Sequence, residues 1–587
     1  MVELTFDRYH GFDEMTEILE GFAAEYPGLC ELYSIGWSSA GRELWLVELT
    51  NKSTGEAEEK PAVYVDGNTH AGEVTGKEVC LWMIDRLLKG YGEDDEITGL
   101  LNTRCFYILP CLNPDGSELY LTTPYKRTGG GIPNPEFEWK QGLYEEDVDG
   151  DGFITQMRVQ DPNGDWRVSE EDLRIMVKRR PDEFGGSYYR VYGEGFIRGY
   201  DGGEIKMAPT RWIGGTNRNW PERWKPESRA YGADLPLDEP EARAQADFWR
   251  KHKNICGGLA FHTHGGIIVR SSSAVSDNEL DIRDIATYEF IGELGTELTG
   301  DSEYPSVGGN SALFTLDPKR PRVGTAKDFF FDIMGVYAWT YELWDMAGHA
   351  GLGNFRERGG IRFGREDNRS LEENLKLLAW NDEALGGEGF SEWTPFDHLQ
   401  LGPVEIGGWK DKFTWRNPPT KFLAEECARA GTFMIAYAAL SPLTEIVEVK
   451  AESLGAGLHK LSVVVKNRGF LPTNITEQAK KANIAKPVTL ELMHGSDVEV
   501  LINAEKLEVG HVEGRSDKLP GRFYTPLGPK KAPPGRYFGG MWGRGGDSSS
   551  KAAEWLLRVK DGGEAEVTVV ASSEKGGVDR ETVTLTG

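Results

Sequence analysis

His70-Ala71-Gly72-Glu73 sets an imidazole and a carboxylate three residues apart, directly after the apolar run PAVYVDG. On one turn of chain, nitrogen and oxygen donors at that spacing can meet a single Zn²⁺. The same pair can equally cap the helix that follows. With ten His in the chain, about one such match is expected by chance, so the pair alone is a weak signal. His262 adds to it, standing in FHTHGG at the end of another apolar run. Ligands of open α/β sheets gather at the carboxyl ends of strands, and His70 and His262 both fall at such ends. Glu342 lies within the aromatic run WTYELWD. A carboxylate there is costly unless paired or functional. It is either a salt-bridged core residue or a general base whose pKa is raised by partial burial. Asn217 and Arg218 in GTNRNW offer a neutral donor and a planar fork suited to a carboxylate. An ordinary loop arginine is the alternative.

The elements that must position these residues are legible as periodicities. Met15, Ile18, Leu19, Phe22 and Tyr26 recur at helical spacing and stop at Pro27. AGRELWLVELT, PAVYVDG, RCFYILP, GGLAFHTH and VYAWTYELW read as strands. The stretch with Val79, Met83 and Leu87 reads as a helix, as do EPEARAQADFWRKH and FLAEECARAGTFMIAYAAL. Strands alternating with helices predict an α/β fold with helices on both faces of the sheet. After Ser441-Pro442 the texture changes. LHKLSVVVK, KPVTLELM, EAEVTVVAS and ETVTLTG alternate with period two, which predicts a small all-β, sandwich-type module. The expected division is residues 1–440 and 441–587.

Composition excludes several function classes. The chain has 587 residues, with Lys+Arg 66 against Asp+Glu 94 and a net charge of −28. That length exceeds one domain, since a single core stops growing near ~250–300 residues. The acidic balance and the lack of a basic run argue against nucleic-acid partners and against an anionic membrane surface. No run approaches the ~18–20 apolar residues of a transmembrane helix. The start, MVELTFDRYHGFDEM, has neither a basic n-region nor an apolar h-region. The expected protein is therefore either cytoplasmic or one whose secretion leader has been removed, and the compartment is left open between them. Cys30, Cys80, Cys105, Cys111, Cys256 and Cys427 form no CxxC and are expected to be buried reduced thiols.

Five short motifs, HAGE, NPDG (113–116), TNRNW, FHTH and TYEL, occur in an order that resembles the zinc metallocarboxypeptidases of the M14 type, carboxypeptidase A-like. The helix-YP-IGWSSAGREL pattern at the start is similar too, and the resemblance covers roughly residues 8–440. It implies a mixed-sheet catalytic domain at 1–440, with an insertion at about 124–212. It implies a Zn²⁺ held by His70, Glu73 and His262, with His264 outside the ligand set. It implies Glu342 as general base, and Arg218 with Asn217 as the grip on the substrate's terminal carboxylate. The arginine that polarises the scissile carbonyl is matched to Arg127, with Arg158 as second candidate. Such an enzyme is a hydrolase acting on peptides with a free C-terminus.

Three features depart from the family pattern. The loop before the catalytic glutamate usually carries a mobile tyrosine, and no Tyr occurs between Tyr304 and Tyr337. Lys327 falls where the floor of the side-chain pocket would be, which favours an acidic C-terminal residue unless the loop is shifted and Lys327 points to solvent. The insertion contains Asp147, Asp149 and Asp151 in D-x-D-x-D-G, like an EF-hand Ca²⁺ loop. Its twelfth position is Arg158 instead of a bidentate Glu. The loop is then either an EF-like Ca²⁺ site completed by Asp161 or Asp165, or a solvated acidic turn. Two alternatives to a carboxypeptidase stand beside it: a zinc amidohydrolase or deacylase on the same scaffold, and a peptide-binding protein with a degenerate site. The β module carries no visible chemistry, and its partner is unknown.

Overall fold

The computed structural model describes residues 3–225, 235–300, 322–355, 358, 369–518, 522–525, 528–531, 548–560 and 563–586. Its centre is a seven-stranded mixed sheet: β1 (Cys30–Trp37), β2 (Glu43–Leu49), β3 (Ala62–Gly67), β4 (Cys105–Leu109), β5 (Ile255–Thr263), β6 (Ile267–Arg270) and β7 (Tyr337–Leu343). The spatial order is β1-β2-β4-β3-β5-β7-β6. The four middle strands run parallel, and the edges are antiparallel. All six residues of β3 are buried, as expected of a parallel strand covered on both faces.

Gly257 and Gly258 in β5 explain how the helices come so close. A Cβ on Gly257 would lie 2.2 Å from the Tyr437 hydroxyl, and one on Gly258 would lie 3.1 Å from the Phe330 ring. Neighbouring strand residues point to opposite faces, so helices press on the sheet from both sides. Tyr437 belongs to α5 (Thr420–Ala438), which packs with α2 (Thr75–Gly90) and α4 (Ile282–Thr299). On the other face Trp249 of α3 (Pro240–Lys251) packs on Tyr64 and Phe330. α1 (Phe12–Glu25) buries Met15, Leu19 and Phe22, the stripe its periodicity predicts.

A second, six-stranded sheet has no counterpart in the sequence reading. It pairs strands Phe390–His398 and Gly402–Trp409 with four short strands between residues 156 and 193. Arg158, the second candidate for the catalytic arginine, is committed here. It ion-pairs with Glu405 at 2.9 Å and lies over the rings of Tyr189 and Trp393. Its role is to join the two halves of this sheet.

Beyond residue 441 two four-stranded sheets enclose one apolar core that includes Leu461, Val463, Leu490, Trp555, Val567 and Val569. The C-terminal part is thus an all-β unit of two packed sheets. It is seated against the first part by polar contacts. Buried Lys575 donates to the carbonyls of Lys253 at 2.6 Å and Ile255 at 2.8 Å, at the start of β5. Arg104 donates to the Ser441 hydroxyl at 2.6 Å, and the Thr476 hydroxyl donates to Gly335 O at 2.8 Å. All six cysteines are free and buried. Among the described residues no helix is long and apolar enough to cross a membrane.

Candidate active site

β3 ends at Gly67, and the chain turns through residues 68–74 before entering α2. Asn68 adopts φ 57°, a left-handed conformation that asparagine tolerates well. Its side-chain amide donates to the carbonyls of His70 at 2.8 Å and Ala71 at 3.1 Å, which fixes the turn carrying His70 and Glu73. His262 comes from the end of β5, which is hydrogen-bonded to β3 with Phe261 opposite Gly67. On the other side His262 stands directly opposite Glu342 of β7. Parallel pairing therefore brings three separate stretches of sequence to one level.

Donor atoms of His70, Glu73 and His262 all lie within 4.8 Å of one another. Two imidazoles and one carboxylate are a donor set suited to Zn²⁺. Glu73 Oε2 faces His262 Nδ1 at 2.9 Å and accepts from Thr263 N at 3.2 Å. Oε1 accepts from Arg416 Nη1 at 3.0 Å. Burial alone would raise the Glu73 pKa, but His70, His262 and Arg416 outweigh it and hold the carboxylate ionised. Burial lowers the His70 pKa to about 4, against the pull of Glu73, so its ring keeps a free lone pair at neutral pH. Both states are those a metal ligand needs. The residues present fit a zinc ion.

Glu342 is partly open at the end of β7, and its pKa is raised, first by burial and next by the nearby Glu73 charge. The Asn217-Arg218 turn is tied to the ligand turn through the Thr216 hydroxyl, 3.5 Å from Thr69 O. Asn217 Oδ1 accepts from Ala326 N at 3.3 Å, one residue before Lys327. Lys327 is buried and does not point to solvent. Its ammonium donates to the Ser273 hydroxyl and lies 3.3 Å from Asp328 Oδ1. Burial lowers its pKa, Asp328 opposes that, and the charge of Arg218 lowers it further. Asn217, Arg218 and Lys327 thus belong to one neighbourhood. Arg127 lies exposed on its loop. The adjacent Lys126 instead lines a cavity of about 200 Å³ together with His264, Asp411, Trp409 and Trp415.

Asp147, Asp149 and Asp151 also come together in space. Their carboxylates accept backbone N–H bonds from Gly150, Asp151, Gly152 and Phe153. The substitute last ligand is partly withdrawn, since Asp161 ion-pairs with Arg190 at 2.6 Å. Residues 301–321, which include most of the loop lacking a tyrosine, lie outside the described residues.

Arg416, the partner of Glu73, escaped the sequence reading, as did Lys126, whose cavity includes His264 but not His70, Glu73, His262 or Glu342. Arg416 precedes Asn417-Pro418-Pro419, a stretch with no motif and more than 300 residues from Glu73. Only the folded chain brings them together.

The family model described as zinc carboxypeptidase, Peptidase_M14, matches residues 15–172 and 215–353, about half of the chain. The chain belongs to the M14 zinc carboxypeptidase family. The match is interrupted between 172 and 215. A second model, a domain of unknown function (DUF8731), matches residues 443–584. Carboxypeptidase D of Anas platyrhynchos is 41% identical over 112 residues, which is 19% of this chain and 8% of that protein. Carboxypeptidase A6 of Mus musculus is 26% identical over 275 residues, 46% of each chain. The chain thus spans less than a tenth of the carboxypeptidase D relatives and about half of carboxypeptidase A6. Among solved structures, thrombin activatable fibrinolysis inhibitor aligns over 74% of each chain at 17% identity, with a TM-score of 0.40.

Proposed function

We propose that the protein is a zinc-dependent metallocarboxypeptidase that hydrolyses the last peptide bond of peptides with a free C-terminus. The observation that carries this reading is the His70–Glu73–His262 donor cluster with Glu342 opposite His262 on the neighbouring strand. His70, Glu73 and His262 would hold Zn²⁺, which supplies Lewis-acid polarisation and an activated water. Glu342, with its raised proton affinity, takes a proton from the attacking water and returns it to the leaving amine. Arg218 and Asn217 bind the terminal carboxylate and set the register of the scissile bond. Lys126 and Arg127 are the cations of the loop matched to oxyanion stabilisation. Of the two, Lys126 faces the cavity that His264 also lines. Asp328 offsets the charge of Lys327, which weakens the case for an acidic terminal residue.

The test is Glu342→Gln. Removing a general acid–base group costs about 10²–10⁴-fold in kcat. Zinc content, measured by atomic absorption, should stay at the wild-type level because Glu342 is not a ligand. A variant with near-normal kcat would overturn the assignment of the base.

A further inference from the structure

The ligand turn is held by more than the sheet. Residues 411–417, between the strand Gly402–Trp409 and α5, close over it. Asn417 is fully buried and works in both directions. Its Oδ1 accepts from Thr75 N at 3.2 Å and the Thr75 hydroxyl at 2.9 Å. Its Nδ2 donates to Gly72 O at 2.8 Å and to Lys412 O at 3.0 Å. The Tyr120 hydroxyl donates to the same Lys412 carbonyl at 2.9 Å, and Lys412 Nζ donates to Thr123 O at 2.6 Å. A Cβ on Gly72 would sit 2.8 Å from the Tyr120 ring, so the turn, that ring and the segment leave no slack. The backbone of Arg416 is thereby fixed beside Glu73.

The two oxygens of Glu73 have different partners. Oε1 accepts from Arg416 Nη1 at 3.0 Å, and Oε2 faces His262 Nδ1 at 2.9 Å and accepts from Thr263 N at 3.2 Å. The last torsion of a glutamate is broad, so an unrestrained carboxylate can present either oxygen, or both, to a metal. A guanidinium bond to one oxygen removes that freedom, and such charge-assisted bonds are among the stronger ones. The Arg416 side chain is 39% exposed, so its pairing with Glu73 is not enforced by burial alone.

We propose that Arg416 is a positioning residue of the metal centre: by binding Oε1 of Glu73, as Thr263 N binds Oε2, it fixes the rotation in which the carboxylate faces the donor cluster. This rests on the zinc-site reading above. Ligand partners of this kind typically alter activity or affinity by about 10–100-fold when removed.

The test compares Arg416→Met and Arg416→Lys in Co²⁺-substituted protein. Arg416→Met frees the rotation of the Glu73 carboxylate, so the visible Co²⁺ bands should broaden and shift, and kcat of the Zn²⁺ form should fall about 10–100-fold. Arg416→Lys keeps one donor for Oε1 and should restore the wild-type spectrum and most of kcat. Arg416→Met bands superimposable on the wild type would overturn the proposal, as would Arg416→Lys bands matching those of Arg416→Met. Thermal melts of the metal-free proteins accompany each variant, and Arg416→Gln replaces Arg416→Met if the latter does not fold. Wild-type protein that binds neither Co²⁺ nor Zn²⁺ would sink the zinc-site reading itself, a separate outcome.

Discussion

Arg218 donates to the carbonyl of Asn217 at 2.5 Å, and Asn217 is pinned to Ala326, so the loop proposed as the carboxylate grip is tied to the segment before Lys327. If that grip reads a free C-terminus, Arg218→Ala removes a charge-assisted interaction of about 1.5–3 kcal/mol, or roughly 10–150-fold in kcat/KM. The loss should appear on peptides with a free carboxylate and nearly vanish on their C-terminal amides, assayed side by side. Equal losses on both would remove the exopeptidase reading and favour the deacylase alternative. At this scale the donor cluster of His70, Glu73 and His262 was legible because its short motifs occur at strand ends in the order that resembles the family. Arg416 was not, because its meaning comes from a contact with Glu73 that only tertiary folding creates. Arg127 and Lys126 differ by one residue, which is enough to exchange cavity for solvent, and no periodicity marks which of two loop neighbours turns inward.

The elements that carry the site are packed too tightly for small changes at their crossings. A Cβ on Gly67, the last residue of β3, would lie 2.5 Å from the backbone carbon and oxygen of Gly76 and 2.7 Å from Lys77 N in the first turn of α2. Backbone cannot swing aside as a side chain can, so Gly67→Ala should cost roughly 1–3 kcal/mol. The ligand turn lies between these two elements, so the same variant should also lose zinc to a chelator faster than the wild type. Gly99→Ala is the control. It lies in the helix Asp95–Thr103 with nothing within 4 Å of its Cβ position, and alanine is the better helix former by about 0.5–1 kcal/mol. Urea midpoints measure both, and a Gly67→Ala midpoint at or above the wild type would refute the crossing argument. The long strands and helices of the main sheet were legible because burial imposes a period on them. The second sheet was not. Two of its strands have only three residues, Trp166–Val168 and Met176–Lys178, too few for a period. Its key pairing, Arg158 with Glu405, joins segments 247 residues apart.

Across the whole molecule, the β unit meets the main-sheet part at the far ends of the strands that bear His262 and Glu342. Lys575 caps the start of β5, and Gly335, just before β7, adopts φ +68° with the Ala479 Cβ only 2.5 Å from where its own would lie. Between them Asp284 of α4 accepts from Glu477 N at 2.8 Å, Gln478 N at 2.9 Å and the Tyr337 hydroxyl at 2.9 Å. Burial raises its pKa to about 7, although all three donors favour the anion, and the charge of Asp281 adds to the rise. The sign of the effect on stability follows from linkage. An unfolded aspartate titrates near 3.9, so between about pH 4 and pH 7 the folded state holds a proton that the unfolded state has lost. Stability from this group therefore falls as pH rises through that window and is lowest above pH 7. Asp284→Asn removes the titration and leaves a neutral side chain of the same shape. The melting temperature of the wild type relative to Asp284→Asn should then be higher at pH 5.5 than at pH 8, by scanning calorimetry. Parallel pH profiles for the two proteins would mean that the three donors keep Asp284 ionised in the folded state throughout. In that case its carboxylate, charged at all working pH values, anchors the β unit as a fixed ionic cap.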